Sequence, residues 1–451
     1  MAGEWHRLRL GDVCKKIGSG STPRGGSSVY LDQGNVALIR SQNVHNSGFR
    51  RDGLVYLTAE HAAELSNVEV EKADILLNIT GDSVARSCQV APDVLPARVN
   101  QHVAIIRTDP KVLWPRFLRY FLVSPQMQAE MLGLAGAGAT RNALTKGMIE
   151  SFKIAAPEDV EEQRALADIL GMLDDKIELN RRINETLEAI ARAIFKSWFV
   201  DFDPVRAKAS GDPPASICRR LGLTPDLLAL FPDRLVDSEL GEIPYGWTVR
   251  PLSQLAEKIS KGTTPTKQDI ASSIDAASVP FIKVKDIDDR GEILRDDLEL
   301  IPESVSNGAL KRSILVTDDI LFSIAGTIGR VAVVEPDLAA SNTNQAVAFV
   351  RLKDIAAHLG LCFQHLQSNR IQEVANASVV QAVQANVSLA SLGSFKIIVP
   401  NAEVLGLWNQ AFGGFFSRKR ICSAESRTLA SMRDALIPKL LSGELCVLGG
   451  V

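Results

Sequence analysis

EDVEEQRALADILGMLDDKIELNRRINETLEAIARAIFKSWF, residues Glu158 to Phe199, carries Leu166, Leu170, Leu173, Ile177, Asn180, Asn184, Leu187, Ala191, Ile194 and Trp198 at alternating steps of four and three. That spacing is a coiled-coil seam with two amides in its middle. Following Pro157, it predicts one helix of about 60 Å at 1.5 Å per residue. A helix with a single apolar seam needs a partner. The stretch from about 401 to 441 supplies one, with Trp408, Phe412, Phe415, Leu429, Met432, Leu436 and Leu440 at helical spacing and Arg418, Lys419, Ser423 and Ser426 through its middle. Gly413-Gly414 costs about 1 kcal/mol per glycine in intrinsic helicity, so packing must hold this helix. Both helices are polar at the centre and apolar at the ends, as two antiparallel, symmetry-related partners would be. Asn180 and Asn184 are then register pins, since polar seam residues fix register at some cost in stability.

Outward from the helices, the chain repeats itself. An offset of 242 puts Trp247 on Trp5, Leu252 on Leu10, Ile259 on Ile17, Gly262 on Gly20, Thr264 on Thr22 and Pro265 on Pro23. With small insertions the match resumes at Leu38-Ile39-Arg40 against Phe281-Ile282-Lys283 and Asp74-Ile75-Leu76 against Asp319-Ile320-Leu321. It continues at Asn100-Gln101 against Asn344-Gln345 and at Phe152-Lys153-Ile154 against Phe395-Lys396-Ile397. Each half has short apolar runs that read as strands (Val36 to Arg40, Ile75 to Thr80, Val103 to Arg107) and a helix (Trp114 to Val123; Leu359 to Leu366). The expected fold class is α+β: two tandem-repeat globules, 1–157 and 246–400, with long helices at 158–200 and 401–443, pseudo-two-fold symmetric overall. Residues 201–245 hold Asp203-Pro204, Asp212-Pro213-Pro214, Phe231-Pro232 and Pro244, too much proline for one continuous element. They read as a connector with one short helix from Pro225, capped by Thr224.

The 451 residues, 46% hydrophobic and 23% charged, suit a folded chain of two or more domains. No apolar run approaches the ~20 residues needed to cross a bilayer and no h-region follows the N-terminal charges, so a cytoplasmic protein without a membrane partner is expected. Six scattered cysteines and six histidines form no metal-spaced set, which predicts buried thiols and no metal site. The net charge of −3 excludes a strongly basic, free-standing nucleic-acid binder, so any DNA-binding surface must be local or completed by partners.

Enzymatic readings fail by absence. Asp212-Pro213-Pro214-Ala215 is close to the Asp-Pro-Pro-aromatic tetrapeptide with which amino-methyltransferases hold a flipped base, but Ala215 lacks the ring that stacks on it. No Gly-x-Gly turn stands upstream in a dinucleotide-binding context. Phosphate loop, nucleophile elbow and zinc cluster are missing as well, so no catalytic residue is predicted.

DNA reading has candidates in both halves. Ser21, Thr22 and Arg24, and Thr263, Thr264 and Lys267, lie in loops that offer N–H groups, hydroxyls and a cation together, as phosphate contacts require. Arg40, Gln42 and Asn43 end a strand, as do Lys283 and Lys285. Such side chains reach base edges, Arg or Lys to guanine and Asn or Gln to adenine, although a solvated strand end would look the same. Ser83 with Arg86, and Thr327 with Arg330, form a second candidate loop. Asn100-Gln101 and Asn344-Gln345 suit DNA contact or the tying of loops equally well. Arg141 and Gln384, in small-residue segments before the last strand, complete the set. His102 and His365 are expected to be packed rather than catalytic.

Three stretches carry a family resemblance: Glu161-Glu162-Gln163-Arg164 through Leu173-Asp174-Asp175-Lys176 to Phe195-Lys196-Ser197-Trp198-Phe199-Val200-Asp201-Phe202-Asp203-Pro204, then Asp237-Ser238-Glu239-Leu240-Gly241-Glu242-Ile243-Pro244, and the closing Leu436-Ile437-Pro438-Lys439-Leu440-Leu441-Ser442-Gly443. Together they resemble the DNA-specificity subunit of type I restriction-modification enzymes, over essentially the whole chain. The resemblance implies a non-catalytic subunit whose two globules each read one half of a bipartite site in double-stranded DNA, with the helical pair setting the unread spacer. It also implies two modification (methyltransferase) subunits that bring S-adenosylmethionine to adenine methylation, and restriction/translocase subunits that use ATP and Mg. This chain itself would bind no cofactor. A coiled-coil interaction scaffold without DNA reading is the competing class.

Overall fold

The computed structural model describes residues 4–136, 142–271, 277–295, 298–380 and 386–445. The chain forms two compact units, Met1–Asn180 with Ala424–Val451, and Arg181–Ser423. Both long helices pass from one unit to the other, so each unit owns a stretch of each.

In the first unit an antiparallel sheet takes the order Cys14–Ser19, Val103–Thr108, Ile75–Asn78, Ser87–Gln89. Its strands read as near-continuous apolar runs because both faces are covered: Ile75, Leu76 and Leu77 are all fully buried. A second sheet orders Val55–Leu57, Val36–Ile39, Ala97–Val99 and Glu69–Val70, with Ala97–Val99 parallel to Val36–Ile39. Trp5–Arg9 pairs with Lys153–Pro157 and so brings the start of the globule to the root of the central long helix.

The second unit repeats this frame. Ala256–Lys261, Val347–Leu352, Ile320–Ser323 and Val331–Val333 form the four-stranded sheet, while Glu299–Pro302, Ser278–Ile282 and Asn342–Thr343 form the other. Thr248–Pro251 pairs with Lys396–Val399 as Trp5–Arg9 does with its partner. The duplication extends to side chains. Arg107 donates from Nε and Nη2 to buried Asp74, both at 2.8 Å, and Arg351 grips buried Asp319 in the same two-pronged way at 2.9 and 2.7 Å. A bidentate pair of this kind satisfies both carboxylate oxygens, which is what makes a buried carboxylate tolerable.

The central long helix is α-helical over Val160–Phe195 and continues as one widened turn over Lys196–Val200, closed by Asp201 N–H donating to Lys196 O at 2.8 Å. The expected regular helix to Phe199 therefore ends four residues sooner. The wider turn accommodates Trp198 and Phe199, both buried in the second unit's aromatic core with Phe195, Phe202, Phe231, Trp247 and Trp408. The C-terminal long helix runs unbroken over Ala402–Leu441, through exposed Gly413-Gly414 and through Pro438 in its last turn.

Within each unit the helical stretches are antiparallel. In the first, Asp174 meets Arg433 and Asn180 donates to Glu425 Oε2 at 2.8 Å and to Ser426 Oγ at 3.3 Å. In the second, Asn184 donates to Ser423 Oγ at 3.0 Å and Glu188 meets Lys419. Of the predicted seam of the central helix, Leu166, Leu170, Asn180, Asn184, Ala191 and Trp198 are buried, while Leu173, Ile177, Leu187 and Ile194 are half-buried. The C-terminal seam shifts by one residue at two successive steps, where Arg433 and Ile437 are buried in place of Met432 and Leu436. Met432 is half exposed and Arg433 is buried in its place, because a guanidinium there completes an ion pair with Asp174.

Residues 201–245 are more ordered than a connector. Three short helices, Asp203–Ala209, Pro214–Leu221 and Pro225–Ala229, each carry proline in the first turn, where its missing N–H costs nothing. Thr224 caps the third as predicted. Leu235–Ser238 and Gly241–Pro244 then form a hairpin. Val205, Ile217, Leu228, Phe231 and Ile243 join the second unit's core, which is why the proline-rich stretch is compact. Among the described residues no helix is long and apolar enough to cross a membrane.

Candidate nucleic-acid interface

Separate sequence candidates turn out to be neighbours. In the first unit Gly20 N donates to Val103 O at 2.9 Å and Ser21 N to Val99 O at 3.1 Å, which lays the loop after Cys14–Ser19 against the turn before Val103–Thr108. Glycine is required there, since a Cβ on Gly20 would stand 2.1 Å from Val99 O. The contact is closed by Thr22 Oγ1, which donates to Gln101 Oε1. The second unit builds the same thing. A Cβ on Gly262 would stand 1.8 Å from Thr343 O, Thr263 N donates to Thr343 O at 3.0 Å, and Thr264 Oγ1 donates to Gln345 Oε1.

The asparagines beside these glutamines shape the turn. Asn100 Oδ1 accepts from His102 N at 3.1 Å and Asn344 Oδ1 from Ala346 N at 3.2 Å, so each amide holds the tip that carries an exposed glutamine. Thr22, Arg24, Thr263, Thr264 and Lys267 are exposed, whereas Ser21 is half-buried. Neither Arg24 nor Lys267 has a side-chain partner among the described residues.

The strand ends lie alongside. Asn100 N donates to Ile39 O at 3.0 Å, and Thr343 Oγ1 to Ile282 O at 2.7 Å, so each turn touches the residue before Arg40 or Lys283. Arg40 sits 5.5 Å over the Tyr30 ring and donates to Gly53 O at 2.5 Å, where Gln42 Nε2 also donates at 3.2 Å. Asn43 is fully buried: its Nδ2 donates to Arg50 O and Asp52 O, and its Oδ1 accepts from Arg40 N. That amide has no edge left for a base. Asp286 fills the equivalent buried place, accepting from Lys283 N at 2.8 Å. Lys283 pairs with Glu299, and Lys285 remains exposed.

Asn78, which sequence reasoning passed over, ties the next loop in. Fully buried at the end of the apolar run Ile75–Leu77, it donates to Ser41 O at 2.9 Å and to Ser83 Oγ at 3.1 Å. A polar residue closing a buried strand was the available signal. Arg86 has no side-chain partner among the described residues, while Arg330 is committed to Ile287 O at 2.5 Å and to Asp289 at 3.3 Å. Thr327 is exposed and its carbonyl accepts from Ser323 Oγ at 2.6 Å. Arg141 and Gln384 lie outside the described residues. His365 is buried, with burial pushing its pKa down to about 3, and so is a neutral core residue. His102 is half-buried and shares a 2.6 Å hydrogen bond with Thr80. Asp212 accepts from Arg220 at 2.9 Å and Pro214 opens a helix, so the Asp-Pro-Pro tetrapeptide is a helix start.

In each unit, then, three loops carrying amides, hydroxyls and cations converge at one end of the paired sheets. Residues 2–189 and 244–410, covering both such ends, match the type I restriction modification DNA specificity domain. The chain belongs to that family.

Two relatives and one solved structure resemble it along much of its length. The type I restriction enzyme HindI specificity subunit of Haemophilus influenzae is 27% identical across 98% of this chain and 100% of its own. The MjaIX specificity subunit of Methanocaldococcus jannaschii is 24% identical across 73% of this chain and 68% of its own. The crystal structure of the type I restriction-modification system S subunit from M. genitalium covers 97% of this chain and 96% of its own, with a TM-score of 0.53 at 13% identity, and so shares the fold.

Proposed function

We propose that this chain is the DNA-reading subunit of a type I restriction-modification complex, each unit reading one half of a bipartite site in double-stranded DNA. The family match over both units carries the proposal. The repeated loop cluster supports it, because polar groups presented by fixed loops at one end of a sheet are suited to backbone and base-edge contacts. Asn43 is left out of the reading set on account of its burial. The long helices set the spacing between half-sites and dock two modification subunits, with restriction subunits joining them. Exposed Met172, Leu179 and Ile190 on the central helix, and Ile421 and Met432 on the C-terminal one, support the docking role, since apolar side chains on an outer helix face suit a protein partner. The partners supply S-adenosylmethionine, ATP and Mg chemistry for adenine methylation and cleavage, and this chain holds no cofactor. With a net charge of −3, the isolated chain binds DNA weakly and in a salt-sensitive way, and tight binding requires the modification subunit.

Methylome sequencing of cells expressing the chain with its modification subunit tests this reading. Methylated adenines in a two-part sequence of fixed spacing are expected, and exchange of residues 1–157 for another globule changes one half only. Methylation that follows no two-part sequence would overturn the proposal and favour the scaffold.

A further inference from the structure

The two units differ at most loop positions, yet one local construction is kept in both. Gly20 and Gly262 permit the same backbone approach, Thr22 and Thr264 donate to Gln101 and Gln345, and Asn100 and Asn344 shape the same turn. On the adjoining strand ends the side chains differ, Arg40 and Gln42 in one unit and Lys283 and Lys285 in the other. Two half-sites of different sequence have one chemical feature in common, the sugar-phosphate backbone. What the units share should meet that feature, and what they do not share should meet the bases.

Hydrogen-bond polarity points the same way. The threonine hydroxyl donates to Oε1 of each exposed glutamine and leaves the Nε2 donor available; in the first unit Nε2 also lies 3.0 Å from His102 Nε2, which can engage one of its two hydrogens. A phosphate oxygen only accepts, whereas a base edge asks for particular donors and acceptors. Ser21 and Thr263 add hydroxyls, and the exposed Arg24 and Lys267, which have no side-chain partner among the described residues, add positive charge.

Building on the DNA-reading function above, we propose that the Thr22–Gln101 and Thr264–Gln345 pairs, with Arg24 and Lys267 beside them, are sequence-independent phosphate anchors, leaving specificity to the divergent strand ends. Each unit then has a fixed grip and a variable reader. Changing what is read does not require rebuilding how the duplex is held.

The test uses the full chain in complex with its modification subunit and a random-sequence duplex pool enriched by the wild type. Gln101→Ala and Gln345→Ala are expected to lower affinity for all duplexes by about 3- to 10-fold, the loss of one hydrogen bond, without altering the enriched sequence. Arg24→Ala and Lys267→Ala each reduce the slope of log K against log salt by about 0.9. Gln101→Glu keeps an acceptor for Thr22, so the loop stays closed while the added charge weakens binding further than Gln101→Ala; melting curves matching wild type verify the fold. Arg40→Ala and Gln42→Ala change the enriched bases of one half-site. Relaxation at a single base position by Gln101→Ala, or unchanged affinity, would overturn the anchor while leaving DNA reading intact. A wild-type complex that enriches no two-part sequence would instead overturn the function on which the anchor rests.

Discussion

Asp174 accepts a 2.8 Å hydrogen bond from Arg433 Nη1, joining the two long helices within the first unit across most of the chain's length. The same carboxylate accepts from Arg119 at 2.7 Å and from the Tyr120 hydroxyl at 2.6 Å, so the globule's helix Pro115–Val123 is bound to both. Its side chain is 18% exposed. Removing the carboxylate would leave the buried Arg119 guanidinium without a carboxylate and Arg433 with only the exposed Asp434. Asp174→Ala is expected to cost about 3–5 kcal/mol in urea unfolding, and a loss below about 1 kcal/mol would mean that solvent already screens the cluster.

At the two helix contacts the carboxylates shift in opposite directions. Burial alone would raise the Asp174 carboxyl, but Arg119, Arg433 and Tyr120 outweigh it and hold it below the usual range. Its stabilisation is present above the unfolded value of about 3.9 and is lost as pH falls through the depressed folded value. In the second unit, burial raises Glu188 and Asp288, because Lys419 is shared with Glu292 and cannot offset three carboxylates. Their penalty is full above the raised values and is relieved as pH falls through them. Hydrogen exchange, corrected for intrinsic rates, should show residues 184–195 gaining protection on acidification toward about pH 4 and residues 166–180 losing it below that. Parallel behaviour of the two segments would contradict the assignment.

Trp408 is fully buried, with its ring 5.5 Å from Phe195 and 5.4 Å from Phe199. Trp408→Ala should cost about 3–5 kcal/mol and expose the widened turn at Lys196–Val200 to proteolysis.

Glycines separate by role. Gly262→Ala drives a Cβ into a backbone carbonyl and should destabilise by about 1–3 kcal/mol, with Gly20→Ala alike. Gly413→Ala meets nothing within 4 Å and should stabilise the C-terminal helix by up to about 1 kcal/mol. Thermal melts that rank these the other way would refute the distinction.

Deleting one heptad from each long helix should change the spacing between half-sites and leave their sequences alone. Methylome sequencing reads both, and unchanged spacing would remove the ruler role from the helices.

The helices, the duplication and the strands were legible because each depends on a local period or an internal copy. Leu166, Leu170, Asn180 and Asn184 sit where a seam of fours and threes puts them. Met432 was misplaced because apolar character suggested burial, whereas Arg433 is drawn in by Asp174, a contact that no periodicity encodes. The same holds at the interface: the loops were found by composition, but that Thr22 faces Gln101, or that Asn43 turns inward, depends on the meeting of distant segments. The compactness of residues 201–245 is hidden because proline interrupts most elements, whereas Pro204 and Pro214, like Pro225, stand in the first turn of a helix.

Asn180 and Asn184 bond to serines in different units, Ser426 in the first and Ser423 in the second. The alignment of the helices is thereby written twice. A slip of one heptad would set Asn180 against Lys419 or Arg433, and Asn184 against Phe416 or Ala430, so that no such displacement keeps either amide on a hydroxyl. Because a one-heptad error removes both amide-to-serine bonds at once, the register is held at two independent points.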